Sequence, residues 1–398
     1  MPQFLPIEEP ARPAAAPSGL ALWALGFRPF YLLASTFSAL SIGAWALQFC
    51  GVLTHPYLQG PLWHAHEMIF GFTLAVVVGF LFTAGRTWTN QPTPHGVWLM
   101  ALAALWVAGR IMVLTPWPWA AAFVNAAFPL SAAVGLAIPF WKARNRRNYF
   151  FVGLLVLLSA AQLCVHLSQL GVIHAPPWGG IQVALDIIAF IVAVMAGRVV
   201  PMFTNNGVPA ARATRHPGVE RAALGLLLAL LAADGAQLHG WPIEVLAVLA
   251  ALAHGVRWGL WRPWTARRVP MVWVLHAAYA WLPVHLLLRA AAQAGWVTSS
   301  VATHALTVGV IGGLIIGMIT RTARGHTARP LRADAFDVAC YVLVLAAAPL
   351  RVIVPALWPA HTIGAIGASA ALWCAGFALY AGRYGPFLLR PRLDGRPG

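Results

Sequence analysis

The sequence predicts an all-α fold, a polytopic bundle of about twelve membrane-spanning helices. Its composition, its repeated long apolar stretches and the alternating placement of its basic residues support this prediction. Of 398 residues, 60% are hydrophobic and 9% are charged, and the mean hydropathy is +0.74. Soluble domains carry about 25% charged residues. Because so few charges could not solvate the surface of a chain this long, most of that surface must face lipid.

A helix needs about 20 apolar residues to cross the hydrocarbon core of a bilayer. Twelve stretches of the sequence meet this requirement. The predicted spans are 27–52, 62–85, 96–115, 118–140, 149–171, 179–203, 219–238, 242–261, 271–294, 301–322, 335–354 and 362–384. The least distinct boundary separates the third and fourth spans, where only a short Pro-Trp-Pro turn intervenes.

The basic residues predict the orientation of these spans. Of 26 lysines and arginines, 23 precede the first span or follow an even-numbered span, and only Arg110, Arg289 and Arg351 lie toward the other side. Cytoplasmic loops are enriched in Lys and Arg, so both termini are predicted to be cytoplasmic and the membrane to be the bacterial inner membrane. The net charge of +16 is spread over these short loops, which indicates contact with anionic lipid and excludes a nucleic-acid-binding domain.

Three regions follow from this topology. Residues 1–26 form a predicted disordered cytoplasmic tail, because they lack the basic segment and apolar run of a cleaved signal peptide. Residues 27–384 form the membrane domain, and residues 385–398 form a basic cytoplasmic tail.

The second and tenth spans share an internal pattern. In each, a histidine is followed by small residues at offsets of five, nine and thirteen and by an arginine at twenty; the two sets are His66, Gly71, Ala75, Gly79, Arg86 and His304, Gly309, Gly313, Gly317, Arg324. Small residues at every fourth position allow another helix to approach closely. The sixth span ends in Gly197-Arg198, and a spacing of four spans would fit three pseudo-repeats of four helices. Chance is the alternative, because glycine-rich helix faces are common in membranes.

The motif Trp63-His-Ala-His-Glu-Met68 concentrates chemistry at the outer end of the second span. His64 and His66 are about 200° apart on a helix, whereas His64 and Glu67 share a face. Imidazole is a ligand for haem iron, copper and zinc, and a carboxylate can orient it. The alternative is an interfacial cap in which the histidines bond lipid headgroups.

His304 begins the tenth span on the same side and at the same depth as His66. Two histidines on separate helices at one depth are what axial ligation of a haem requires. Arg110, Arg289 and Arg351 are the outer-side candidates for its propionates. In the ninth span, His276 and His285 are further candidate ligands that face opposite ways, unless Pro283 breaks the helix between them.

Asp186 lies in the middle of the sixth span, with Gln182 one turn away, and His166 belongs to a polar stripe on the fifth span. A carboxylate at that depth is costly, so it is predicted to be protonated, paired with an arginine or part of a proton route. These residues also fit an alternative function, a proton- or metal-coupled transporter of small solutes without haem.

Several motifs together resemble the NnrS family. They are Phe27-Arg-Pro-Phe30, His64-Ala-His-Glu-Met68, Gly197-Arg-Val-Val-Pro-Met-Phe-Thr-Asn205, Thr303-His-Ala-Leu-Thr-Val-Gly309 and Gly325-His-Thr327. The resemblance covers nearly the whole chain and implies a membrane protein that contains haem and copper and is linked to nitric oxide and nitrosative stress. One departure is Thr327-Ala-Arg329 after His326, where relatives are expected to have a glycine before the arginine.

A looser similarity is to the catalytic subunit of haem–copper oxidases, which has twelve spans and a haem held by histidines of the second and tenth helices. The similarity stops at the sixth and seventh spans, which offer only His239 and no histidine cluster for copper. A binuclear centre of that type is therefore not expected. The NnrS resemblance implies nitric oxide as the small molecule, whether as substrate, ligand or signal. Membrane lipid is the expected surrounding partner, while enzymatic activity, the copper site and a redox partner stay open.

Overall fold

The computed structural model describes residues 19–49, 51–53 and 57–396. The first eighteen residues of the predicted tail, and residue 50 within the predicted first span, lie outside the described residues. Twelve principal helices follow one another: α1 Phe27–Phe49, α2 Gly60–Thr89, α3 Gly96–Met112, α4 Pro118–Lys142, α5 Phe150–Gln169, α6 Pro177–Gly207, α7 Pro217–Gly235, α8 Trp241–Leu260, α9 Pro270–Gln293, α10 Ser299–His326, α11 Ala335–Leu357 and α12 Thr362–Leu389.

The predicted all-α membrane bundle is confirmed. Within the described ranges there is no strand, and ten of the helices are long and apolar enough to cross a membrane. The remaining two are shorter or more charged: α3 has 17 residues, and α7 carries Glu220, Arg221 and Asp234 within 19 residues. Each of the twelve predicted spans corresponds to one of the twelve helices.

Several helices extend past the predicted boundaries. The helix α6 continues to Gly207 although Pro201 lies inside it, and α12 continues to Leu389 rather than ending at 384. At α12 the apolar run is interrupted by Arg383, which is why the sequence placed the boundary there. Leu388 is nevertheless fully buried, and this packing accounts for the extra helical turn.

The first and last helices meet, which joins the two ends of the chain. The Arg28 guanidinium donates to the Leu388 carbonyl at 2.9 Å and to the Arg390 carbonyl at 2.7 Å. The Ala21 amide donates to the Leu389 carbonyl at 2.8 Å. We call the end of the bundle that holds these contacts, together with the loops after the even-numbered helices, the basic end; the other is the opposite end.

Helices α2 and α10 both contain a π-helical segment, and each segment begins directly after a histidine. Glu67–Thr73 follows His66, and Ala305–Gly312 follows His304. The predicted pattern of small residues permits close contacts in both: a Cβ at Gly79 would lie 2.9 Å from Phe30 Cβ, and one at Gly317 would lie 2.9 Å from Val274 Cγ1. The likeness between the second and tenth spans therefore extends to backbone geometry. It does not include α6, which is α-helical from Pro177 to Gly207.

Candidate functional site

The two histidines of the motif in α2 face different neighbours, as their spacing predicted. His64 packs beside α1 and α10, where its ring contacts Trp45 and His304. His66 is fully buried toward α5, where its ring contacts His166. One helix therefore presents two histidine pairs, which we call the outer pair (His64 and His304) and the buried pair (His66 and His166).

The rings of the outer pair are nearly parallel. Their centroids are 6.4 Å apart, with 9° between the ring planes. The Trp45 indole stacks on His64 at 4.8 Å. His304 Nδ1 lies 2.7 Å from the Ser300 carbonyl oxygen. Because a carbonyl only accepts, Nδ1 carries the proton and Nε2 of the neutral ring keeps its lone pair. Metal-binding histidines are commonly held in this way.

Arg351 of α11 lies next to the outer pair. Its guanidinium donates to the Ser300 hydroxyl at 3.1 Å, and Ser300 is the residue that orients His304. None of the ion pairs among the described residues involves Arg351. Of the three arginines predicted on this side, Arg351 is thus the one whose charge has no carboxylate against it in the described chain.

The buried pair belongs to a polar network between α2 and the next three helices. His66 Nδ1 donates to Glu67 Oε1 at 2.7 Å, and Arg110 donates to the same oxygen at 2.7 Å. Arg110 also bonds Asn125. The Gln162 amide nitrogen lies 3.2 Å from His66 Nε2, so the second nitrogen of that ring already has a protein partner. The network satisfies the buried carboxylate with a guanidinium, as burial of a charge requires.

Glu67 therefore pairs with His66 and not with His64, although helical spacing placed Glu67 and His64 on one face. The π-helical segment begins at Glu67, directly after His66. Two polar atoms near this site, Glu67 Oε2 and His166 Nε2, are buried without a protein partner among the described residues. Tyr57 approaches His166 with its hydroxyl 3.3 Å from Nδ1, and burial raises the pKa of Tyr57 to about 12.

Asp186 is paired with an arginine, one of the alternatives left open by the sequence. Arg289 donates to Asp186 at 2.9 Å and also contacts Asp234, so two carboxylates share one guanidinium. Gln182 donates to Asp186 at 3.1 Å. Asp234 was not predicted as a site residue. It is an acidic residue inside a predicted span, and that position alone could have identified it as a partner for a buried charge. His166, the third predicted member of the polar path, lies in the buried pair instead.

The two histidines of α9 lie in different surroundings. His285 Nδ1 donates to the Ala302 carbonyl at 2.7 Å, while His276 Nε2 is 2.8 Å from the Thr204 hydroxyl. The α-helix is interrupted at Ala280, because Pro283 has no N–H to donate to the Tyr279 carbonyl. The interruption does not bring His276 and His285 together.

A second buried cluster, near the basic end, was not predicted. Arg257 donates to both oxygens of Glu220, at 2.9 and 2.7 Å, and to the Tyr279 hydroxyl at 2.9 Å. His254 Nδ1 lies 2.6 Å from that hydroxyl. Glu220 and Arg257 are charged residues inside two predicted spans, which was the signal for a buried ion pair. Every member of this cluster is hydrogen-bonded to another member. The cluster therefore links α7, α8 and α9 and holds them together.

Metal–imidazole nitrogen bonds are about 2.0 Å long, so two axial imidazoles have ring centroids about 6 Å apart. The outer pair matches this separation, whereas the buried pair, at 4.9 Å, is too close for axial ligands. No group of three His, Cys, Asp or Glu side chains that could hold a metal ion occurs in the part of the chain described. The outer pair is therefore the pair whose separation would leave room for a metal between two imidazoles.

Comparison with known protein families gave a match over nearly the whole chain. The model of a family described as NnrS protein matches residues 21–392, which is nearly the whole chain. No curated protein matches the chain. The matched region includes both histidine pairs and all twelve helices.

Proposed function

Since the chain belongs to the NnrS family, whose members are linked to the nitric oxide response, we propose that it is a haem-binding membrane protein of that response, in which His64 and His304 would hold the haem. The observation that carries the proposal is the separation of the two rings, 6.4 Å between centroids with 9° between planes. This assignment keeps His304 from the sequence-based prediction and replaces His66 with His64. His66 has both ring nitrogens engaged by protein groups, Glu67 and Gln162.

The surroundings of the outer pair support the same assignment. The Ser300 carbonyl fixes the His304 tautomer that leaves Nε2 as the ligand atom. Arg351 supplies a cation for one propionate, because its charge faces no carboxylate in the described chain. Arg110 and Arg289 are less suited to that role than predicted, since each already bonds a buried carboxylate.

A haem in this position would supply an iron that binds nitric oxide when one axial ligand is weak or displaced. The protein would contribute the orientation of His304, the apolar cover of His64 by Trp45 and the charge of Arg351. His64 and His304 are only partly buried, so a gaseous ligand reaches this level of the bundle without crossing the core. Copper has weaker support, because Glu67 beside the buried pair is bonded to His66 and Arg110, and no group of three side chains among the described residues is arranged to hold a metal ion.

The test compares histidine variants of the purified full-length protein by optical spectrum and by haem-to-protein ratio. His64→Ala and His304→Ala are each expected to lose or shift the Soret band while the protein still elutes as a folded species. His66→Ala, only two residues from His64, is the matched control and should keep the wild-type spectrum. His361→Ala, at an exposed position, controls for handling.

Two results would contradict the proposal. Wild-type spectra in both His64→Ala and His304→Ala, with a spectrum lost in His66→Ala, would return the ligand to the buried pair. A colourless and metal-free wild-type protein would remove haem altogether and favour the transporter alternative.

A further inference from the structure

A polar cavity of about 710 Å³ opens at the basic end of the bundle, whereas the outer pair lies toward the opposite end. It is formed where the ends of α2 and α6 meet the loops that follow α4 and α6. Its lining includes three arginines and three asparagines but no acidic residue: Arg147, Arg198, Arg215, Asn145, Asn148 and Asn205. Small-molecule sites have volumes of about 300–1,000 Å³, so this cavity is large enough for a whole ligand.

The asparagines of the cavity are held in a directed chain of hydrogen bonds. The Asn145 amide donates to the Trp88 carbonyl at 3.1 Å, and Asn148 donates to the Asn145 side-chain oxygen at 3.1 Å. Arg198 then donates to the Asn148 side-chain oxygen at 2.7 Å. Each asparagine oxygen in this chain already accepts a bond. The Asn205 amide is likewise engaged at both ends, by the backbone of Ala213 at 2.9 and 2.7 Å.

With the asparagine oxygens engaged, the polar side chains left to face a ligand are the arginines, which are hydrogen-bond donors. Arg198 is fixed by its bond to Asn148 and by the rings of Trp88, Phe150 and Phe151, whose centroids lie 5.4–5.7 Å from its guanidinium carbon. Arg215 is fixed by a 3.1 Å bond to the Gly197 carbonyl. None of the ion pairs between described residues includes Arg147, Arg198 or Arg215. Arg198 and Arg215 are thus held in place at the cavity. Arginines that only determine membrane topology do not require such fixed positions.

We propose that this cavity binds a phosphate-bearing anion, through Arg147, Arg198 and Arg215. Guanidinium groups bind phosphate oxygens through paired, charge-assisted hydrogen bonds. Three uncompensated guanidinium groups around one cavity repel one another, and a multiply charged anion removes that repulsion. The volume exceeds that of orthophosphate alone, so the ligand carries its phosphate on a larger body. A lipid headgroup of the adjacent leaflet and a soluble phosphate compound share this chemistry.

The experiment measures thermal unfolding of the purified full-length protein in nanodiscs. One arm compares phosphatidylglycerol with phosphatidylcholine nanodiscs in phosphate-free buffer. The other titrates inorganic pyrophosphate into phosphatidylcholine nanodiscs. Wild type is expected to gain stability in the first arm if the ligand is a lipid, and in the second if it is soluble. Arg147→Gln and Arg215→Gln are both at exposed positions. In the lipid arm, each should lose most of the stability gained from phosphatidylglycerol. In the pyrophosphate arm, each should need about tenfold or more ligand for the same gain.

Arg268→Gln is the matched control, because it removes an exposed arginine of the basic end that does not line the cavity. It should respond as wild type does. The proposal is overturned if wild type gains stability in neither arm, or if all three variants lose the effect equally, since the effect would then be one of overall charge. Haem content is recorded in parallel, and its retention in the variants separates this site from the outer pair.

Discussion

At the scale of single residues, buried charges are bonded to specific partners rather than left to lipid. The clearest case is Arg289, which faces Asp186 and Asp234 together. Removing one partner of a buried ion pair costs about 3–5 kcal/mol, because the remaining charge has no counter-charge. The three residues are therefore not equivalent, and their variants should separate.

We predict that Arg289→Gln destabilises the protein strongly, whereas Asp234→Asn has a small effect. The first substitution leaves two buried carboxylates without a cation, at a cost of about 3–5 kcal/mol or more. The second leaves the one-to-one pair of Arg289 and Asp186. Thermal unfolding followed by size-exclusion chromatography checks this order. A larger loss of stability in Asp234→Asn than in Arg289→Gln would show that the carboxylates, not the arginine, hold the cluster together.

Residue types were predictable from the sequence, but their partners were not. Because a charge inside the membrane is costly, Asp186, Arg289 and the histidines could be predicted as candidate site residues. The spacing of His64 and His66 predicted that they face different neighbours, but which of the two faces His304 depends on how α2 and α10 pack, and the sequence pattern does not reveal that packing. Asp234 and Glu220 were missed because they lie near the ends of their helices, where a charge is ordinarily solvated.

At the scale of helices, the π-helical segments of α2 and α10 begin beside the two histidine pairs. A π turn accommodates one more residue than the α-helical turn it replaces, and such segments occur frequently at functional sites. The segment in α2 begins with Glu67, which bonds His66, and the segment in α10 begins immediately after a proposed ligand. The local helix type, as well as the order of the residues, is therefore a feature of the site.

We predict that deletion of Ile69, within the π-helical segment, is tolerated better than deletion of Val77 in the regular part of α2. The first deletion allows the segment to become α-helical while the residues on either side keep their facing. The second rotates the remaining buried residues by about 100°. Fluorescence-detected size-exclusion chromatography of tagged protein should show a folded peak for the first only. Two folded peaks, or two aggregates, would contradict this account of the segment.

Span number and approximate limits were predictable at the scale of helices because hydrophobic length is set by the bilayer. The ends were less predictable, as α6 and α12 show, since each continues on packing contacts that composition does not reveal. Helix α3 is apolar but only 17 residues long, and α7 carries three charged residues, so hydropathy and length alone would give weak support for either span. The alternation of basic loops supported both in the prediction.

At the scale of the whole molecule, the positive charge gathers at one end of the bundle. The loops after α4, α6, α8 and α10 and the chain end after α12 all carry arginines, and Arg86 lies in the last turn of α2. Arg28 joins the chain start to that end. By the positive-inside rule, this end is predicted to be cytoplasmic.

We predict that green fluorescent protein fused to the C-terminus fluoresces and that alkaline phosphatase at the same position is inactive. Both results follow if the basic end lies in the cytoplasm, where one reporter folds and the other does not mature. A phosphatase fused after residue 114, at the opposite end, is the control and should be active. Active phosphatase at the C-terminus would reverse the topology and place the arginine cavity outside the cell.

The Arg257 cluster leaves no space for a side chain at position 197. Gly197 packs so closely against Arg257 that any Cβ there would collide with the guanidinium, and it would also lie 3.0 Å from Glu220. The Gly197 carbonyl meanwhile accepts the bond from Arg215. A side chain at position 197 would therefore force the Arg257 guanidinium to move, and its bonds to Glu220 and Tyr279 would move with it.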